Sequence, residues 1–374
     1  MGDKGLYKGL TVKNVLTLAF STMIGWGWVS LTGVWVVEGG TVGAAIAFCL
    51  GAVLCIFVGL TYPALPLSFF GTIPLIGAYN MHFVDAKGIL ATSGGRCGMN
   101  IYRGCTHGCV YCDSRSRCYQ FTHPFEDVEV KQNAPTLLEK ALKSKRKKCM
   151  IGTGSMSDPY MHCEEELALT RRCLEIIRDN GFGLAIQTKS DRILRDVDLL
   201  DEINKTAKCV VEMTLTTYDD ALCALLEPNV CNTKRRIEVL ETMRQRGIPT
   251  VVWLTPILPF INDTEENVAA ILSECVRVGV TGIVCFDMGL TLREGSREYF
   301  YAALDKHFPG MKERYIERYG NAYELPSPRA KELMEMFRGV CAEHGILSEP
   351  EDCFRFMQEL PERFSQMSFF DSQR

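Results

Sequence analysis

Between Gly98 and Lys306 a short apolar run is followed by an amphipathic stretch six times over. The runs Gly98–Tyr102, Cys149–Gly154, Gly183–Thr188, Cys209–Leu215, Thr250–Thr255 and Gly282–Asp287 read as strands. The stretches Pro135–Lys145, Glu164–Asn180, Arg192–Asn204, Thr233–Arg246, Thr264–Val278 and Glu294–Lys306 read as helices. Pro135 suits a first helical position, and Gly181 and Gly247 suit helix stops. Asp263 with Glu266 three residues on reads as a capping box. Repeated βα units leave few folds open, because parallel strands need helical crossovers. Six units rather than eight predict an α/β protein built on a partial (β/α)6 TIM-like barrel. The active site of such a barrel is expected at the carboxyl ends of its strands. Residues 309–374 are helical in pattern and are expected to cover one side.

The loop after the first strand carries Cys105, Cys109 and Cys112 at C-x3-C-x2-C, with Gly104 and Gly108 between and before them. Three thiolates so spaced can hold three irons of a [4Fe–4S] cluster and leave the fourth open to a substrate. The alternative is structural zinc, which prefers paired C-x2-C units and four closed ligands. Its fourth ligand would be Cys118, His107 or His123. Both metal readings put the loop at the carboxyl end of the barrel.

Charge is uneven along the 374 residues. Of 41 basic and 45 acidic residues, three and two fall before residue 81, which leaves 38 basic and 43 acidic ones in 81–374. That balance gives no general electrostatic case for nucleic acid. The basic run Lys143–Lys148 closes a predicted helix, where cations suit the carbonyl end. Most of the 17 cysteines, Cys173, Cys209, Cys223, Cys275 and Cys285 among them, sit in helix or strand patterns as small buried hydrophobes. This usage points to a reducing cytoplasm.

From Asn14 to Val84 the one charged residue is Glu38. Each half of that region has the apolar length of about 20 residues that a membrane span needs, so two transmembrane helices are expected within residues 14–62. Three lysines ahead of the first span favour a cytoplasmic amino terminus. Met23-Ile-Gly-Trp-Gly-Trp28 interrupts the first span. Residues 8–70 resemble the first two spans of the amino acid–polyamine–organocation permeases. The resemblance raises a membrane transport component as one alternative function, although transport by two spans alone is not expected. Residues 1–80 thus read as a membrane anchor or fused permease fragment, 81–308 as a catalytic barrel that begins near Met81, and 309–374 as a helical extension.

Several further motifs follow the cysteine loop Met99–Asp113 in order. They are Ser157-Asp-Pro-Tyr160 with Glu164, Gln187-Thr-Lys-Ser190, Leu226-Glu-Pro228 with Arg236, and Thr255-Pro-Ile-Leu-Pro-Phe-Ile-Asn-Asp263. With them, residues 81–345 resemble the spore photoproduct lyase-like branch of the radical S-adenosylmethionine (SAM) superfamily. The resemblance implies a [4Fe–4S] cluster on Cys105, Cys109 and Cys112 and SAM as cofactor. It implies reductive cleavage of SAM to methionine and a 5′-deoxyadenosyl radical that takes a hydrogen atom from substrate. It further implies a one-electron donor of the flavodoxin or ferredoxin type, and leaves nucleic acid or protein open as substrate.

By position, the resemblance offers Ser155, Ser157 and Asp158 to the methionyl amine; a Ser-Asp-Pro turn capping the next helix is the bland alternative. Lys189 and Ser190 end the third strand, where the lysine suits the methionine carboxylate, and Ser190 or Asp191 also suits a helix cap. Thr214 and Thr216 face the ribose, or are ordinary β-branched strand residues. Tyr111 stacks near the adenine or packs beside the cluster. Glu227 and Arg236 shape the site or form a plain loop-to-helix ion pair, and His107 is loop packing. One departure matters. Spore photoproduct lyases carry a hydrogen-donating cysteine just before the Ser-Asp of this second-strand loop, where this chain has Ser155. An O–H bond is far harder to break homolytically than S–H, so photoproduct repair is not expected. A zinc-binding, non-catalytic module remains the alternative outside enzymes and transporters.

Overall fold

The computed structural model describes residues 80–93 and 96–361. The expected spans within 14–62 and the permease-like stretch 8–70 lie outside the described residues. Among those described, no helix is long and apolar enough to cross a membrane.

The large sheet runs β10-β9-β8-β7-β6-β3-β2. Six of its strands are parallel: β3 (Arg96–Met99), β6 (Met150–Thr153), β7 (Gly183–Thr188), β8 (Cys209–Thr214), β9 (Thr250–Trp253) and β10 (Gly282–Val284). An antiparallel edge strand, β2 (Leu90–Ser93), lies beside β3. Every step in the chain advances one strand, as sequential βα units dictate. β8 is buried along its whole length, which is why it reads as a continuous run rather than an alternation. Its Cys209, Val211 and Met213 face the outer core with Leu200, Leu240 and Ile271 of the covering helices. Val210, with Ala185, Val251 and Val284, faces inward.

The inner face is closed at one end by the helix Pro350–Gln358, whose Cys353 and Met357 pack on those inward residues. Lys208, just ahead of β8, donates to the carbonyls of Phe356 and Glu359 and fixes the plug at the amino end of the strands. The carboxyl end is left open. The region 309–361 is thus more than a side cover. It supplies this plug, and its strand β12 (Glu324–Pro326) pairs with β11 (Gly289–Thr291) at the open end.

Several local expectations are corrected. The helix expected over Glu164–Asn180 breaks into Glu164–Leu167 and Leu169–Asp179 at Ala168, which takes a left-handed φ of 48°. The cap before Glu265 is Thr264, whose Oγ accepts from Asn267 N; Asp263 instead accepts from Ser327. A three-stranded sheet of β1 (Met81–Val84), β5 (Val128–Lys131) and β4 (Tyr102–Arg103) was not foreseen.

Candidate active site

The cysteine loop leaves β4 at Gly104 and docks on the Leu226–Asn229 segment. Val110 N donates to Leu226 O (2.9 Å), Asn229 N to His107 O (3.2 Å) and Asn229 Nδ2 to Thr106 O (2.9 Å). Gly108 has φ +71°, and a Cβ there would stand 3.2 Å from Pro228 Cγ. The Leu226-Glu-Pro228 motif therefore braces the loop. Below it, Arg236 is buried, with Nε on Cys231 O (2.9 Å), Nη1 on Thr214 O (3.0 Å) and Nη2 2.5 Å from Glu227 Oε2. The Tyr111 hydroxyl donates to the same Glu227 carboxylate.

A cavity of about 630 Å³ opens at the carboxyl ends of the strands, within the usual range for small-molecule sites. It is lined by Cys105, Cys109, Cys112 and Tyr111, and by Ser155, Ser157, Asp158, Lys189 and Thr214. Ser190, Thr216 and Arg236 lie outside the lining. Ser190 is buried and accepts from Arg192 N at 3.2 Å as a helix cap. Thr216 packs against Thr217. Arg236 acts through the brace just described.

Asp158 is the hinge of one wall. Its carboxylate accepts from Tyr160 N (2.8 Å), Thr188 Oγ1 (2.7 Å) and Lys189 N (2.8 Å). These bonds tie the loop after β6 to the end of β7. His107 Nδ1 lies 3.4 Å from Asp158 Oδ2. Burial pushes the imidazole pKa down to about 4 despite that carboxylate, so the ring is neutral. His107 Nε2 and Thr214 Oγ1, both buried and both on lining residues, have no hydrogen-bond partner. Unpaired buried polar atoms cost about 1–3 kcal/mol each, a cost that a bound ligand relieves.

Burial pushes the Cys105 thiol up to about 12, with Asp158 adding to the effect, and raises Cys109 as well. Metal ligation supplies the missing drive to thiolate. Burial opposes the charge of Lys189, but Cys109 as a thiolate and the Glu227 carboxylate outweigh it and raise the lysine. Its Nζ lies 5.9 Å from the Tyr111 ring centre.

Zinc–sulfur bonds of about 2.3 Å hold thiolates on one ion within about 4.6 Å of each other. Among the described residues, the one triad of donors drawn within 4.8 Å is His82, His123 and Glu129, not the cysteines. The three cysteines instead line the cavity. His123 is turned away, with Nε2 2.8 Å from Glu129 Oε1, and Cys118 is exposed beside Arg293. Neither lines the cavity.

The far wall was not foreseen. It consists of Trp253, Thr255, Phe286, Asp287 and Glu324. Trp253 Nε1 donates to Glu212 (2.7 Å), an inward-facing carboxyl that burial raises to about 7. Glu212 breaks an otherwise apolar or β-branched strand, Cys-Val-Val-Glu-Met-Thr, and that irregularity was the available signal.

Residues 99–273 match the model of the radical SAM superfamily. An uncharacterized protein of Mycobacterium tuberculosis is 28% identical over 257 residues, 67% of this chain and 75% of its own. Another, of Methanocaldococcus jannaschii, is 35% identical over 169 residues, 45% and 62% of the respective chains. A mutant of spore photoproduct lyase shares the fold, with a TM-score of 0.54 at 15% identity over 72% of this chain and 81% of that one. On that family match the chain is a radical SAM enzyme, with a [4Fe–4S] cluster and SAM as its cofactors. The matched range does not reach the permease-like segment.

Proposed function

We propose that Cys105, Cys109 and Cys112 hold the cluster and that SAM occupies the wall formed by the ends of β6, β7 and β8. When bound, the two cofactors supply a 5′-deoxyadenosyl radical. The protein's task is then orientation and exclusion of water. Lys189 offers a cation to the methionine carboxylate. Thr214 Oγ1 and His107 Nε2 offer unpaired polar atoms to the remainder. Asp158 positions this wall, because its oxygens are engaged by Thr188, Tyr160 and Lys189. The observation that carries the reading is one cavity lined both by the three cysteines and by these groups. It calls for a reducing cytoplasm and a one-electron donor.

Substrate would meet the radical at the far wall. One neighbouring structure is a spore photoproduct lyase mutant with bound AdoMet and dinucleoside spore photoproduct. Two features here argue against the same reaction. Ser155 stands at the expected hydrogen donor, and among the described lining residues no cysteine exists beyond the three cluster ligands. Cys163 packs against the core instead. The far wall also presents the exposed acids Asp287 and Glu324, while Lys189 is the single Lys or Arg among the described lining residues. That charge disfavours a phosphate backbone. The proposed role is hydrogen abstraction from a substrate other than a photoproduct.

The test is anaerobic reconstitution of the full-length protein, with a strong reductant and SAM. The expected result is 5′-deoxyadenosine, lost with the brown chromophore in Cys105→Ala, Cys109→Ala or Cys112→Ala and retained in Cys118→Ala. A wild-type protein that holds only zinc and forms no 5′-deoxyadenosine refutes the reading.

A further inference from the structure

We propose a second metal site, built from His82, His123 and Glu129 and suited to a borderline divalent ion, zinc foremost. Strands β1 and β5 pair in parallel with His82 opposite Glu129, so register alone brings these two side chains together. The loop before β5 delivers His123. One donor atom of each residue lies within 4.8 Å of the other two. The imidazole rings meet edge to face with centres 4.8 Å apart. None of the three lines the active-site cavity.

The outer contacts carry the argument. His82 Nδ1 is 3.0 Å from Asp127 Oδ1, and His123 Nδ1 is 3.0 Å from the Pro124 carbonyl oxygen. Histidines that bind metals donate their second N–H to a carboxylate or a carbonyl, which fixes the tautomer and leaves the other nitrogen as a lone pair. Both histidines show this arrangement. With its proton on Nδ1, neutral His123 points the Nε2 lone pair at Glu129 Oε1, 2.8 Å away. Two acceptors face to face need a cation between them, a proton or a metal. A proton satisfies this pair alone, whereas a metal also uses His82. Arg103 Nη1, 3.1 Å from Glu129 Oε1, orients the carboxylate through that oxygen. Two imidazoles and a carboxylate are a donor set that zinc accepts, with water completing the shell. The ion would staple β1 to the loop whose Phe125 carbonyl receives Cys105 N–H (3.1 Å), bracing the entry to the cysteine loop from outside.

The experiment uses the full-length protein with its cluster reconstituted, so that the three cysteines are occupied by iron. Equilibrium dialysis against zinc should load one zinc per chain with the iron content unchanged. Zinc-edge X-ray absorption should show nitrogen and oxygen neighbours without sulfur. Asp127→Asn should weaken zinc about 10- to 100-fold, and His123→Gln and Glu129→Gln should weaken it further. No retained zinc, sulfur in the zinc shell, or wild-type affinity in all three variants overturns the proposal. The absorption measurement needs only wild-type protein, so it decides even where a variant fails to fold.

Discussion

Arg236 is among the largest side chains fully removed from solvent, and its partner Glu227 is nearly as deep. Replacing Arg236 by Met keeps much of the volume but leaves the Glu227 carboxylate buried, with the Tyr111 hydroxyl, the Cys223 thiol and the charge of Lys189 as its remaining support. Burial pushes Glu227 up, and Arg236 outweighs this to hold it below the usual carboxylate range. Removing one partner of a buried pair costs about 3–5 kcal/mol. The carbonyls of Cys231 and Thr214 also lose their donors, at roughly 1 kcal/mol each, while Lys189 recovers part of the loss. The expected destabilisation is therefore about 5 kcal/mol, a large fraction of the roughly 5–15 kcal/mol that holds a typical protein folded. The double variant Arg236→Met/Glu227→Gln removes both charges and should cost about 2 kcal/mol less than the single, a coupling of ordinary size for residues in contact. Urea unfolding of cluster-loaded protein without oxygen measures both. A single-variant cost below about 1 kcal/mol, or no coupling in the double, refutes the account of Arg236 as a brace. Folded Arg236→Met should keep its SAM affinity within a few-fold, because the guanidinium does not line the cavity. A larger loss at intact iron content would return Arg236 to the cofactor pocket.

Three further outcomes are expected. Burial raises the Glu212 carboxyl from 4.5 to about 7, so its contribution to stability is complete below pH about 4.5 and is lost as pH rises through about 7, roughly 3 kcal/mol in all. Glu212→Gln keeps an acceptor for the Trp253 indole and should match wild type near pH 4.5 and exceed it at pH 8 by that order; a thermal melt at each pH checks this, and equal melts at pH 8 contradict it. Gly154 has φ +101°, and a Cβ there would overlap the Gln187 carbonyl, with the carbonyl carbon at 2.8 Å and Cα at 3.1 Å; Gly154→Ala should cost at least about 1–3 kcal/mol from backbone strain alone and weaken SAM binding by displacing the Asp158 wall, and unchanged melting with unchanged affinity would count against that close approach. Lys189→Ala should leave iron content intact and weaken SAM binding at least about tenfold, the factor that 1.4 kcal/mol represents; unchanged affinity in calorimetry removes Lys189 from the pocket.

The parallel sheet was legible because each βα unit is written locally. Gly183–Thr188 is apolar for most of its length and is found as read, bounds included. Strand ends were less legible where the chain leaves the ladder to build the site. The last strand was expected to reach Asp287 but stops at Val284, since Phe286 and Asp287 turn into the cavity wall. The break at Ala168 has no glycine or proline to announce it. The small sheet pairs Tyr102–Arg103 with Val128–Lys131 and these with Met81–Val84, and strands this short carry too few alternations to be seen. In the site, the cysteines and the Asp158, Lys189 and Thr214 positions could be found because they stand at strand ends of a recognisable pattern. Ser190 and Arg236 stand in the same motifs yet face a helix start and the Leu226–Asn229 brace. A motif fixes a residue's place along the chain, and the turn of the backbone fixes its direction.

The plug at the amino end and the cavity at the carboxyl end follow from one asymmetry. Val210, Ala185, Val251 and Val284 leave the lower interior apolar, so the last helix can seal it with Cys353 and Met357. One layer higher the inward positions turn polar, with Gln187, Glu212 and Thr214, and an apolar plug could not satisfy them. That layer is filled by partners brought from elsewhere: the Trp253 indole for Glu212, and ligand for the unpaired Thr214 oxygen. At the mouth the sense reverses. The Phe286 ring is 57% exposed beside Trp253 and stacks at 6.0 Å on Phe354, a costly display for a site meant to hold a radical away from water. On the proposed reading the cofactors fill the polar β6–β8 side first. A substrate broad enough to cover Phe286 and Trp253 then completes the enclosure, so the exposed ring belongs to a surface finished by substrate.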